Sequence, residues 1–300
     1  MHIVRTPGSA RAIARTLRRP VGFVPTMGAL HAGHLELVRR ARSENASVIV
    51  SIFVNPMQFA PSEDFQKYPR AFESDVEALN AEGVDLLYAP AVERMYPRGF
   101  AASIDVGTLG TVLEGERRPG HFAGVATVVA KLLSALEPTS MYLGQKDVQQ
   151  TAVLRAMVRD LDMATNVVVV PTVREPDGLA LSSRNVYLTP EQRAAAPSLY
   201  RALRAVAAAI AGGETDAVRA RAAGAALLEA PLVWDYLAVV DPATFAELAT
   251  VDGAAVVVAV VRAGATRLLD NLPIVPANGV DPILTPARPL LKPAGSRGLR

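Results

Sequence analysis

The chain has 300 residues, half of them hydrophobic and a fifth charged, which is ordinary globular usage at about two domains' length and excludes disorder throughout. Thirty-one lysines and arginines against 29 acids give a net charge of +2, too small a surplus to argue for a nucleic-acid partner. No cysteine is present, which excludes a disulfide framework, a thiolate metal site, an iron–sulfur cluster and a cysteine nucleophile.

In chain order, Met1 to Pro20 carries five arginines but no apolar core of signal-peptide length. No window holds about 18 uncharged apolar residues in a row, so the expectation is a cytoplasmic protein without a membrane span. Val21–Val24, ended by Pro25, and Ala46–Val54, stopped by Pro56, read as strands buried on both faces. Between them Leu35, Leu37, Val38 and Ala41 recur at helical spacing. The alternation continues with a helix over Phe72–Ala81, a strand at Val84–Ala89 and a helix at Val125–Leu136. A strand at Ser140–Leu143, a helix at Val148–Asp160 and a strand at Val167–Val170 follow. Repeated strand–helix–strand units imply a parallel sheet with helices on both faces and ligands at the carboxyl ends of the strands.

After Pro171 the pattern changes. Pro176-Asp177-Gly178 signals a turn, and Glu191 to about Ala230 is alanine-rich and helical. Trp234–Val240, Ala254–Val261 and Thr266–Asp270 read as strands. The fold class expected is therefore α/β: a Rossmann-like parallel sheet over residues 1–172 and a smaller C-terminal α+β lid domain over 173–280. Residues 281–300 hold four prolines and four basic residues against one acid. That surplus of three leaves residues 1–280 at −1 and predicts a mobile, dispensable tail rather than a nucleic-acid-binding arm.

The strongest local signal is Pro25-Thr-Met-Gly-Ala-Leu-His-Ala-Gly-His34, which follows a predicted strand and opens a predicted helix. His31 and His34, three apart, fall on one face of a first helical turn. The unpaired N–H groups and positive dipole end of a helix N-terminus suit phosphate, and imidazoles there can donate to phosphate oxygens. Capping, core packing or half of a metal site remain the bland alternatives; His2 and His121 supply no obvious third ligand. Neither a Gly-x-x-x-x-Gly-Lys-Ser/Thr loop nor a Gly-x-Gly-x-x-Gly fingerprint follows the first strand.

His-x-Gly-His at this position resembles the nucleotidyltransferase superfamily. Ser51-Ile-Phe-Val-Asn-Pro-Met-Gln-Phe59, Tyr68-Pro-Arg70, Arg118-Pro-Gly-His-Phe122, Gly144-Gln-Lys-Asp-Val-Gln-Gln150, Asp177-Gly-Leu-Ala-Leu-Ser-Ser-Arg-Asn185 and Arg267-Leu-Leu-Asp-Asn271 follow in order. From about Val21 to Asn271 the chain is similar to the pantoate–β-alanine ligase family. The resemblance implies an ATP-dependent condensation of pantoate with β-alanine through a pantoyl adenylate, with release of pyrophosphate and AMP. It implies that Met27, Gly28, Ala29, Leu30, His31, Ala32, Gly33 and His34 line the nucleotide, with His31 and His34 on the phosphates and the proton donor at His34. Lys146 is implied as a phosphate cation, Gly144 and Asp147 as groups approaching the ribose with Gln145 among the ATP-binding residues beside them, and Ser182, Ser183 and Arg184 as a second phosphate segment. Val173 and Leu181 would border the adenine, and Gln58 and Gln150 would hold pantoate.

Some positions depart from the family pattern. Gln145 stands where glutamate is usual, Ala32 where an acid is common, and Leu181 where some relatives have methionine. Ser74-Asp75 replaces a pair of acids near magnesium, which leaves Asp75 as the candidate to reach a hydrated Mg²⁺ on ATP. The resemblance also implies a homodimer, with Glu114–Phe122 as a contact or a mobile active-site lid.

Overall fold

The computed structural model describes residues 1–60, 65–275 and 281–284. Six strands, β1 (His2–Val4), β2 (Val21–Thr26), β3 (Ser47–Ile52), β4 (Leu86–Tyr88), β5 (Ser140–Gly144) and β6 (Asn166–Val170), form one parallel sheet in the order β1-β4-β3-β2-β5-β6. Its helices are α1 (Pro7–Ala14), α2 (Ala32–Glu44), α3 (Phe72–Ala81), α4 (Val92–Met95), α5 (Glu114–Arg117), α6 (His121–Leu136) and α7 (Val148–Asp160). Alternate residues of the central strands feed two cores. Phe23 and Ile49 pack with α1, α6 and α7, and Val24, Val48 and Val50 pack with α2 and α3. Burial on both faces is why successive residues Val48, Ile49 and Val50 of β3 are all apolar instead of alternating with polar ones.

Pro25 does not end its strand, as the sequence suggested. Val21 accepts from Thr139 on the β5 side, so Pro25, four residues on, faces that side too. Pairing of β2 with β5 stops at Phe23↔Met141, whereas pairing with β3 continues to Thr26↔Ile52. The N–H that proline lacks is needed only where the two strands have already separated. The strand order also reverses between β2 and β5, and the crevice at such a switch point is where open α/β sheets bind ligands.

Beyond Pro171 come α8 (Pro190–Ala195), α9 (Ser198–Ala211) and α10 (Ala217–Ala225), then the antiparallel sheet β7 (Val233–Val240), β8 (Ala255–Ala263) and β9 (Thr266–Ile274). The alanine-rich run is thus three helices, broken at Pro197 and at Gly213, which takes φ +100°. Val257, Ala259 and Val261 of β8 face these helices, while Val256 and Val258 face Leu113, Val148 and Val169 of the first sheet's layer. The two sheets therefore share a seam of core.

Ile283 lies in that seam, 3% exposed, with its carbonyl accepting from Arg155 at 2.7 Å. Asp281 Oδ1 accepts from the N–H groups of Ile283 and Leu284. The expectation of a mobile segment starting at 281 is therefore corrected for residues 281–284; residues 285–300 lie outside the described residues. A chain ending at 280 should lose about 2–3 kcal/mol in urea melts against one ending at 284, the value of one buried isoleucine with its hydrogen bonds.

Candidate active site

At the switch point the chain leaves β2 through a tight turn. Gly28 takes φ +83°, and a Cβ there would stand 3.0 Å from Asp75 Oδ2. Ala29 is also left-handed at φ +50°, uncommon for alanine. Side chains hold the turn together: Thr26 Oγ1 accepts from Gly28 N–H, and Asp75 accepts from Ala29 N–H through Oδ2 at 2.9 Å and from Leu30 N–H through Oδ1 at 2.8 Å. The amides of Gly28, Ala29 and Leu30 are bound by Thr26 and Asp75, so it is Met27, His31, Gly33 and His34 of this segment that line the cleft. Asp75 is 3% exposed with each oxygen accepting a backbone N–H, so it braces the turn. Burial raises its pKa, and the two N–H groups oppose that rise.

The turn delivers His31 as N-cap of α2 and His34 as its third residue, with ring centroids 4.1 Å apart. His31 Nδ1 accepts from Gly33 N–H at 3.1 Å, and His34 Nδ1 accepts from His31 N–H at 3.4 Å, a reciprocal capping box. A neutral ring accepting at Nδ1 carries its proton on Nε2, so the bonds assign both rings as Nε2–H donors. Although one edge of His34 borders the cleft, protein encloses most of the ring. Burial, then His31 and Lys146, push its pKa down to about 3; burial and Lys146 also lower that of His31. Within this chain alone, His34 thus offers a neutral hydrogen bond rather than a stored proton.

The same depression makes the fold acid-labile. Between about pH 3 and 6.5 the unfolded chain binds a proton at His34 that the folded chain refuses, so stability falls as pH drops below 6.5 and is unaffected above it. The slope from one such group is at most about 1.4 kcal/mol per pH unit. Urea midpoints at pH 5 and 7.5 should therefore differ less in His34→Gln than in the parent chain. Equal differences would contradict the buried neutral ring.

The facing wall grows from β5. Past Gly144 a 3₁₀ turn, Gln145–Asp147, presents Lys146, whose Nζ lies 4.0 Å from Asp147 Oδ1, and α7 then brings Gln150 to the cleft. Its neighbour Gln149 is buried and structural, donating to Leu109 and Val112 carbonyls. Gln145, expected beside the nucleotide, points out of the cleft instead. It is 6% exposed and donates to Asn271 Oδ1 of β9 at 3.3 Å. The third wall is the segment leading into the 3₁₀ helix Ser183–Tyr187. Ser182 caps it by accepting from Arg184 N–H, Ser183 Oγ is 3.5 Å from Tyr68 Oη, and Val173 and Leu181 lie alongside.

Gln58 closes the cleft from the 3₁₀ turn Pro56–Gln58, with its Nε2 3.1 Å from Met27 Sδ. Asn55, which sequence reasoning passed over, orients it. Buried to 1% exposure, Asn55 donates to Gln58 Oε1 and to Gly124 O, and accepts from Met57 N–H and Tyr96 Oη–H. Asn-Pro before a short turn is the signal that could have found it, because asparagine caps such turns. His121 and Arg118 were also missed as lining groups; both contact Gln58 O. Val125, Val128, Val129 and Leu132 of α6 supply an apolar floor.

The Glu114–Phe122 region is not an open loop. Glu114 is buried in α5 and pairs with Arg267 of β9 through both oxygens, at 2.6 and 2.9 Å, and Arg267 also holds Asp235. A Cβ on Gly115 would lie 2.1 Å from Gly110 O. The mobile lid expected at its start is corrected to a packed, ion-paired bridge between the sheets.

One cleft therefore gathers Met27, His31, Gly33, His34, Gln58, Gly144, Lys146, Asp147, Gln150, Val173, Leu181, Ser182, Ser183 and Arg184. A family model for pantoate-beta-alanine ligase matches residues 2–273. The chain belongs to that family. It is 54% identical to the pantothenate synthetase of Herpetosiphon aurantiacus over 91% of this chain and 99% of the relative. The crystal structure of pantothenate synthetase from Thermus thermophilus superposes with a TM-score of 0.87 at 52% identity, covering 92% of this chain and all of the other. A pantoate-beta-alanine ligase from Francisella tularensis, complexed with beta-gamma ATP and beta-alanine, matches at TM-score 0.75 and 35% identity, over 91% and 97% of the two chains. The chain is accordingly an ATP-using ligase that joins pantoate to β-alanine. Among the described residues of this ligase, no three His, Asp, Glu or Cys side chains gather as a metal site, and no helix is long and apolar enough to cross a membrane.

Proposed function

We propose that the cleft divides the ligase reaction among the side chains just described. In the first step the pantoate carboxylate attacks the α-phosphorus of ATP and pyrophosphate leaves. In the second, the β-alanine amine attacks the acyl carbon and AMP leaves. His31 and His34 donate from Nε2 to phosphate oxygens as charge builds in the transition state. Lys146, and Ser182 to Arg184 across the cleft, hold the rest of the triphosphate, and Asp147 and Gly144 meet the ribose. Val173 and Leu181 border the base. Gln58 and Gln150 hold pantoate: neutral amides bind its carboxylate and hydroxyls without quenching the nucleophile as an adjacent guanidinium would.

The observation that carries this reading is the placement of both Nε2–H imidazoles, Lys146 and the two glutamines around one crevice at the sheet's switch point. Mg²⁺ belongs to it as the companion of ATP rather than as a protein-bound ion, since Asp75 is committed to backbone N–H groups. A homodimer in the cytoplasm completes the proposal, and light scattering in solution tests its stoichiometry. Pyrophosphate release from ATP should require pantoate, and AMP release should further require β-alanine. Pyrophosphate appearing equally fast without pantoate would refute these assignments.

A further inference from the structure

The turn that presents Lys146 has no side-chain cap of its own. Its carbonyls are met from the other sheet: Asn271 Nδ2, in β9, donates to Gln145 O and to Lys146 O, each at 2.9 Å. The Gln145 amide answers by donating to Asn271 Oδ1. Both hydrogens of one amide thus bridge two consecutive peptides at a position only 1% exposed. Displacing the turn would leave buried donors and acceptors unpaired, so burial makes the clip a constraint on position.

Asn271 is itself anchored. Its N–H donates to Asp270 Oδ1 at 2.8 Å, and the Asp270 carboxylate takes Arg174 through two bonds of 2.6 and 3.0 Å. Arg174 lies 3.8 Å over the Tyr200 ring and donates to Gly178 O. Gly178 heads the turn that leads into Leu181–Arg184, and Leu181 N–H donates back to Val173 O. One buried cluster therefore touches both segments that face the phosphates.

We infer that Asn271 is a positioning residue: its carboxamide, anchored through Asp270 and Arg174, holds the Lys146 turn in register with the Ser182–Arg184 segment. β9 then sets the spacing between the two cationic groups that receive the triphosphate. The inference rests on the reading of Lys146 as a phosphate cation. Its test is calorimetric titration of ATP into the full-length parent chain, Asn271→Asp, Lys146→Ala and the double variant, with thermal melts confirming that each is folded. Asn271→Asp keeps the shape but turns a carboxylate oxygen on the two carbonyls. It should weaken ATP at least tenfold in the parent background and less than threefold when Lys146 is already alanine, the signature of a residue acting through another. The same factor in both backgrounds, or a factor under three in the parent, overturns the inference. An unchanged ATP affinity in Lys146→Ala alone would instead defeat the assignment of Lys146. If Asn271→Asp does not fold, Asn271→Ser, which retains a single donor, goes through the same cycle with the same thresholds.

Discussion

Replacing His34 with alanine should lower pantoate-dependent pyrophosphate release by two or more powers of ten while leaving the melting temperature below about pH 6 unchanged or higher. The magnitude is that of removing a preorganised donor aimed at developing charge, about 3–4 kcal/mol of transition-state stabilisation. Preorganisation is visible in the bonds: His31 N–H fixes Nδ1 of His34, so Nε2–H has a set direction before ATP arrives. The stability side has the opposite sign. A neutral imidazole held below its ordinary pKa costs the fold stability below about pH 6.5, and its removal relieves that burden in the same window. His34→Gln, with a neutral N–H donor of different reach, should recover part of the lost rate. If His34→Ala turned over at the parent rate, His34 would have no part in adenylation.

How far the sequence foretold this arrangement depended on whether a residue's task was local or distant. The helices over Phe72–Ala81 and Val148–Asp160 were found to the residue, because their periodicity against charged faces is a local property. The His31 and His34 pair was readable for the same reason, since strand end, turn and helix start lie within ten residues. β1 and α1 were not seen. A three-residue strand has no period to detect, and the eight-residue α1 buries only Ala10 and Ala14. β9 runs to Ile274 rather than stopping at Asp270, because Asp270 and Asn271 look like strand breakers until Arg174 and the Lys146 turn are brought to them. Asp75 shows the same limit more sharply. Its bracing of the turn could not be read while its partners, 45 and 46 residues upstream, were out of view.

Gly124→Ala should be strongly destabilising and should raise the KM for pantoate at least tenfold, although helix propensity alone argues the reverse. Gly124 sits inside α6, where exchanging glycine for alanine ordinarily gains about 1 kcal/mol. Here a Cβ would stand 2.3 Å from Met57 O and 2.9 Å from Gln58 N, both backbone atoms of the turn that carries Gln58. Rotamer changes cannot relieve a clash with backbone, so α6 and the turn must separate, at the upper end of the roughly 1–3 kcal/mol typical of overpacking. Separation also breaks the Asn55 bond to Gly124 O, and with it the bracket that points Gln58 into the cleft. Urea melts and pantoate saturation curves for pyrophosphate release measure the two effects on one preparation. A variant more stable than the parent with an unchanged KM would show that propensity outweighs packing at this contact, and that Gln58 does not depend on it.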